Sequence, residues 1–122
     1  MNKLLFIVDQ DQILDCANLI NQWGHPFRLN EYKNYVLIMV GDKKAFVWFE
    51  WLDEFTLSMH FCANPEHRKK WLTKHVYNGL YYALEFLGAK KVYVIANKNK
   101  DVIRYVERLG WFKDEVGYYI HV

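Results

Sequence analysis

The chain has 122 residues, 52% of them hydrophobic and 18% aromatic, with five Trp, nine Tyr and eight Phe. That composition excludes a disordered chain, and the length allows one domain over residues 1–122 rather than two. Net charge is only +2, from 16 Lys and Arg against 14 Asp and Glu, so attraction of the whole surface to nucleic acid or anionic lipid is excluded and any basic function must be local.

Residues 1–8 carry one Lys and an apolar run that Asp9 and Asp11 end too early for a signal core, so they read as a first strand. Ile13, Ala17, Ile20 and Trp23 repeat near a 3.6-residue period, predicting a helix over 11–23 capped by Asp9 or Asp11 and stopped at Gly24-His25-Pro26. Residues 35–40 and 45–52 are apolar strands around the turn Gly41-Asp42-Lys43, and Asp53-Glu54 reverses the chain into a third strand over 55–63. On it Leu57, Met59, Phe61 and Ala63 point one way, and Thr56, Ser58, His60 and Cys62 form a polar face. After Pro65 the stripe Leu72, Val76, Leu80, Leu84 and Leu87 predicts a long helix over about 66–87, ended by Gly88. Residues 91–96 read as a strand, 100–109 as a short helix stopped by Gly110, and 118–122 as a terminal strand.

The order β-α-β-β-β-α-β-α-β predicts a single α/β domain: a mixed, mostly antiparallel sheet with one parallel β-α-β join, flanked by helices. No apolar segment reaches the ~18 residues of a membrane helix. Two cysteines without metal-ligand spacing, and five His likewise, point to a reduced, cytoplasmic protein with no metal site. Cys62 reads as a small semi-buried thiol, since no base can be placed beside it. Tyr77, Tyr81 and Tyr82 suit a helix packed on a sheet better than a nucleic-acid surface.

That order, with Pro65-Glu66-His67-Arg68 opening the long helix and Arg108-Leu109-Gly110-Trp111 closing the short one, resembles the GNAT family of acetyl-CoA-dependent N-acetyltransferases over nearly the whole chain. The segment Arg68-Lys69-Lys70-Trp71-Leu72-Thr73 is similar to a phage-encoded branch with an Arg-x-Lys-Trp-Leu/Met-Thr motif, whose relatives include acetyltransferases and head-assembly or internal virion proteins. The resemblance implies acetyl-CoA as cofactor. Pantetheine would pair against a strand bulge at Cys62, Ala63 and Asn64, the pyrophosphate would lie on Arg68, Lys69, Lys70, Trp71, Leu72 and Thr73, and Asn99 would stand near the cofactor. Backbone N–H groups at a helix start form an anion cradle there.

The sequence departs from the family in three places. Lys69, Trp71 and Thr73 stand at the usual glycine positions, and Trp71 either blocks the pyrophosphate or stacks beside the adenine. The basic residues of 66–75 either hold phosphates as point charges or form a solvated first turn. The family's general-acid Tyr aligns with Val106; Tyr105, about 100° around the helix, either packs in the core or supplies the proton. For the base the candidates are His60 on the third strand and Glu50 on its hairpin partner, each also readable as structural.

Two function classes follow. The first is an N-acyltransferase acting on an amine that the variable loops 24–34 and 113–117 would select. The second is a GNAT-fold binding or assembly module, as in a phage head and so with virion association, its slot plugged by Trp71 and its aromatic surface bound to a protein. The terminal strand, ending Tyr118-Tyr119-Ile120-His121-Val122, is a candidate for pairing across a homodimer.

Overall fold

The computed structural model describes residues 3–25, 27, 35–68, 70–95 and 100–122. Strand β1 (Leu4–Ile7) leads into helix α1 (Gln10–Gln22). Asp9 starts that helix: in extended conformation, its Oδ1 accepts the N–H groups of Asp11 at 2.9 Å and Gln12 at 3.2 Å. Strands β2 (Tyr35–Val40), β3 (Ala45–Trp51) and β4 (Thr56–Ala63) form the expected meander. The first reversal places Gly41 (φ 59°) and Lys43 (φ 57°) in the left-handed region, and Lys44 N–H closes it onto Val40 O at 3.1 Å. In the second, Asp53 Oδ1 accepts Phe55 N–H at 2.9 Å.

The helix expected over 66–87 is shorter. Asn64 Oδ1 caps a single 3-10 turn, Pro65–His67, by accepting Glu66 N–H, and helix α2 (Lys74–Phe86) begins only after Thr73. Thr73 is extended (φ −83°, ψ 167°) and its Oγ1 accepts Val76 N–H at 3.2 Å, so it is the N-cap and α2 cannot run back through it. Strand β5 (Lys91–Val94), helix α3 (Lys100–Arg108) and strands β6 (Phe112–Lys113) and β7 (Tyr118–His121) complete the fold.

The sheet runs β1-β2-β3-β4-β5-β7-β6, antiparallel throughout except for the parallel pair β4–β5. This is a single α/β domain with one parallel join. One face of the sheet, with Ile38, Val47, Phe49, Leu57 and Val92, is covered by Val76, Leu80 and Leu84 of α2 and Val106 of α3. The other, with Ile7, Leu37, Phe46, Trp48 and Cys62, is covered by Cys16, Ala17 and Ile20 of α1.

That second layer corrects the polar face expected on β4. α1 and Phe27 close over it, so Ser58 and Cys62 are buried. The terminal strand is also not an edge: β7 pairs with β5 along Tyr118–His121, and Tyr118 and Tyr119 pair with β6 on the other side. The backbone groups of Tyr118 and Tyr119 are therefore taken on both sides, and the cross-dimer pairing expected along 118–122 is not open to these two residues. Among the described residues no helix is long and apolar enough to cross a membrane.

Candidate functional site

The parallel join is short. β4 meets β5 only at Thr56↔Lys91, Leu57↔Val92 and Ser58↔Tyr93, while β4 continues to Ala63. Backbone direction alternates along an antiparallel strand, and Asn64 N–H donates to Lys44 O on the β3 side. Even-numbered residues of β4 therefore turn their backbone to β3, and odd-numbered ones turn away; Phe55 O, which accepts Lys91 N–H, fits the rule. Met59 N–H closes the last rung onto β5, and the C=O of Met59 with the N–H and C=O groups of Phe61 and Ala63 then point outward past the join.

The bulge expected at Cys62, Ala63 and Asn64 is absent. The β3–β4 register is unbroken from Ala45↔Ala63 to Trp51↔Leu57, and the two parallel strands part before β5 ends, since Val94 pairs with Tyr118 of β7 but not with β4. Of the three residues only Ala63 has its backbone toward the opening. Cys62 turns its side chain into the α1 layer, where burial raises its thiol above the usual range and Arg68 only partly opposes this. A protonated, buried thiol is a poor nucleophile.

Beside this open edge lies a cleft of about 640 Å³. Met59, Phe61, Cys62 and Ala63 of β4 form one wall, Tyr77, Leu80, Tyr81 and Leu84 of α2 another, and α3 from Asp101 to Leu109 much of the rest. Trp111 Nε1 donates to Tyr77 Oη at 3.2 Å on its lining. Three arginines, Arg68, Arg104 and Arg108, reach it against one carboxylate, Asp101. Arg104 and Arg108 stand four residues apart on α3 and so share a face.

Trp71 belongs to the wall. It is 5% exposed, packs into the α2–α3 core, and meets Phe61 ring to ring at 5.6 Å. The same segment differs from a backbone cradle. Lys70 and Trp71 N–H groups both donate to His67 O, and Thr73 N–H donates to Trp71 O. Those donors are used within the loop, so an anion here would be held by side chains, Arg68 and Lys70 among them, and by the N-terminal end of α2. Leu72 lines the cleft, and Thr73 is the α2 cap. Lys69 and Asn99, both expected at the cofactor, lie outside the described residues, as does most of the 24–34 loop.

On the α1 side, His60 lies opposite Trp48 on β3 and stacks on its indole at 5.7 Å and 12°. Its Nε2 is 3.1 Å from Ser58 Oγ. His25, just after α1, meets the same indole edge-on at 5.2 Å and reaches the cleft, which His60 does not line. Burial depresses both imidazoles below their ordinary range, and the charge of His25 lowers His60 further. Glu50 pairs with Ser58 across the hairpin and does not reach the cleft lining.

Val106 takes the core position at 3% exposure, while Tyr105 lines the cleft, its phenol raised by burial and by Tyr77 beside it. Sequence reasoning did not assign His25, Arg104, Arg108 or Tyr77 to the site. The one signal for the arginines is their i, i+4 spacing on a short amphipathic helix.

The same overall fold is found in a set of solved structures. The ribosomal-protein-S18-alanine N-acetyltransferase from Escherichia coli superposes with a TM-score of 0.73 at 15% identity, covering 100% of this chain and 94% of that one. The fold is the GNAT fold. The GNAT domain of S. lividans PAT matches with a TM-score of 0.70 at 10% identity, over 99% of this chain and 90% of that one. The dodecameric spermidine N-acetyltransferase from Vibrio cholerae matches with a TM-score of 0.68 at 16% identity, over 98% and 93%. No protein-family model and no curated protein matches the sequence itself.

Proposed function

We propose that this GNAT-fold chain is an acyl-CoA-dependent N-acyltransferase acting on an amine. The observation that carries the reading is the outward-facing backbone of Met59, Phe61 and Ala63 beside an arginine-rimmed cleft. Acetyl-CoA fits these residues: an extended pantetheine amide chain can pair with the strand edge, and Arg68, Lys70, Arg104 and Arg108 can take its phosphates. Bound there, it supplies an activated acyl thioester.

The protein's own part is positioning first. A strand edge and an arginine cluster fix one reactant in line with the gap that leads to the α1 side, and orientation of this kind is the larger share of rate. Neutral His25, on the cleft wall, takes the proton of the incoming ammonium, directly or through water. His60, stacked on the same indole behind the cleft lining, is the second candidate imidazole and would act only through water. The Tyr105 hydroxyl, kept protonated at neutral pH, gives a proton to the departing thiolate.

The second reading, a non-catalytic binding or assembly module such as one in a phage head, needs Trp71 to close the slot. Its seat in the wall beside an open cleft weighs against that. Titration with acetyl-CoA, followed by calorimetry and thermal shift, tests the choice. At a hundredfold excess over Kd, binding should stabilise the fold by about 2.7 kcal/mol. No heat and no shift at millimolar ligand would overturn the acyltransferase reading and favour the module.

A further inference from the structure

The sheet has two edges, β6 and β1, and β6 is only two residues long. β1 is the other kind of edge. Its run Leu4-Leu5-Phe6-Ile7 and the following Val8 carry no charge, proline or bulge, the usual devices that keep an exposed strand from pairing. Leu5 and Phe6 are exposed and Val8 is 82% exposed. Gly41 N–H donates to Lys3 O, so odd-numbered residues turn their backbone to β2, and Leu4, Phe6 and Val8 turn theirs outward.

Helix α2 lies directly over this edge. A Cβ on Gly79 would meet Leu4 Cδ1 at 2.5 Å, so the Leu4 side chain reaches onto the helix at this glycine. Tyr82 and Phe86 continue the Gly79 stripe along the helix, yet they are 71% and 83% exposed. An amphipathic helix normally buries that stripe. The apolar patch therefore extends from the strand edge onto α2.

Charge selects the occupant. A single cation, Lys3, precedes the run and a single anion, Asp9, follows it. We propose that β1 pairs antiparallel with β1 of a second copy of this chain, about a two-fold axis at Phe6. In that register Lys3 of each copy faces Asp9 of the other, Leu4 faces Val8, and Phe6 faces Phe6. The outward backbone groups of Leu4, Phe6 and Val8 then form about six reciprocal N–H···O=C bonds. Asp9 keeps its α1 cap through Oδ1, because a carboxylate has a second oxygen for the lysine. A stable interface buries about 1,000 Å² or more in total, and the Tyr82 and Phe86 rings beside the two-fold extend contact beyond the strands.

Sedimentation velocity of the full chain at micromolar concentrations should show a dimer, and Phe6→Lys, which places two cations on the axis, should show a monomer with an unchanged circular dichroism spectrum. Under mild oxidation Phe6→Cys should cross-link to a covalent dimer. Leu5→Cys, which faces Ile7 of the other copy, should not. A wild-type chain that stays monomeric, or cross-linking that is equal at positions 5 and 6, would overturn the proposal.

Discussion

His25 and His60 meet one buried indole from two directions, and burial keeps both imidazoles neutral at physiological pH. Depressed folded-state values fix the sign of the pH dependence. Above the ordinary histidine value of about 6.5 neither state gains a proton; as pH falls below it, the unfolded chain protonates first and the fold loses stability. Thermal melts should therefore fall from about pH 7 to about pH 5, and the fall should be shallower in a His25→Gln, His60→Gln variant. Trp71 belongs to the same scale. Truncating a buried aromatic leaves a large void, so Trp71→Ala should cost about 3–5 kcal/mol in urea unfolding. A loss under about 1 kcal/mol would mean that the indole is not the wall of the cleft.

Between residues and the whole stand the caps and turns. Thr73 decides where α2 starts, so Thr73→Ala should cost about 1 kcal/mol in urea unfolding while Thr73→Asp retains most of it. Gly117 touches the other wall of the sheet: a Cβ there would lie 2.7 Å from Val94 O, a backbone atom that cannot step aside. Gly117→Ala should cost about 1–3 kcal/mol by lifting the β6–β7 loop off β5. These elements also explain what could be read in advance. The meander was legible because tight turns and apolar runs are local signals, and β2 falls where the pattern places it. The start of α2 was not, because Leu72 continues the apolar stripe of Val76 and Leu80 although it stands before the cap. β6, two residues long, has no period to detect. The site was half legible. Its β4 and 68–73 walls follow from strand and loop order, but His25, Arg104 and Arg108 reach the cleft only through packing between distant elements.

Over the whole molecule the small positive charge is less informative than where it lies. Arg68, from the β4–α2 loop, lines one cleft together with Arg104 and Arg108 of α3, so a nearly neutral protein gathers three cations there. A hydrogen bond to a charged group contributes about 1.5–3 kcal/mol, so replacing Arg104 or Arg108 by Ala should weaken acetyl-CoA binding about tenfold each. Calorimetry measures the loss, and melting curves check that the fold is intact. An unchanged Kd in the double variant would remove the arginines from the site. Raised salt should weaken wild-type binding more than that of the double variant, because exposed charge pairs are screened.

The three-pair join between β4 and β5 has a mechanical meaning as well. It is the seam along which the seven-stranded sheet is sewn, with four strands on one side and three on the other. Two halves held by so few rungs can rock about Thr56, Leu57 and Ser58, and a guest laid into the gap would add rungs of its own. Amide exchange should then slow not only at Phe61 and Ala63 but also across β7, which does not border the gap. Filling the slot would splint the sheet.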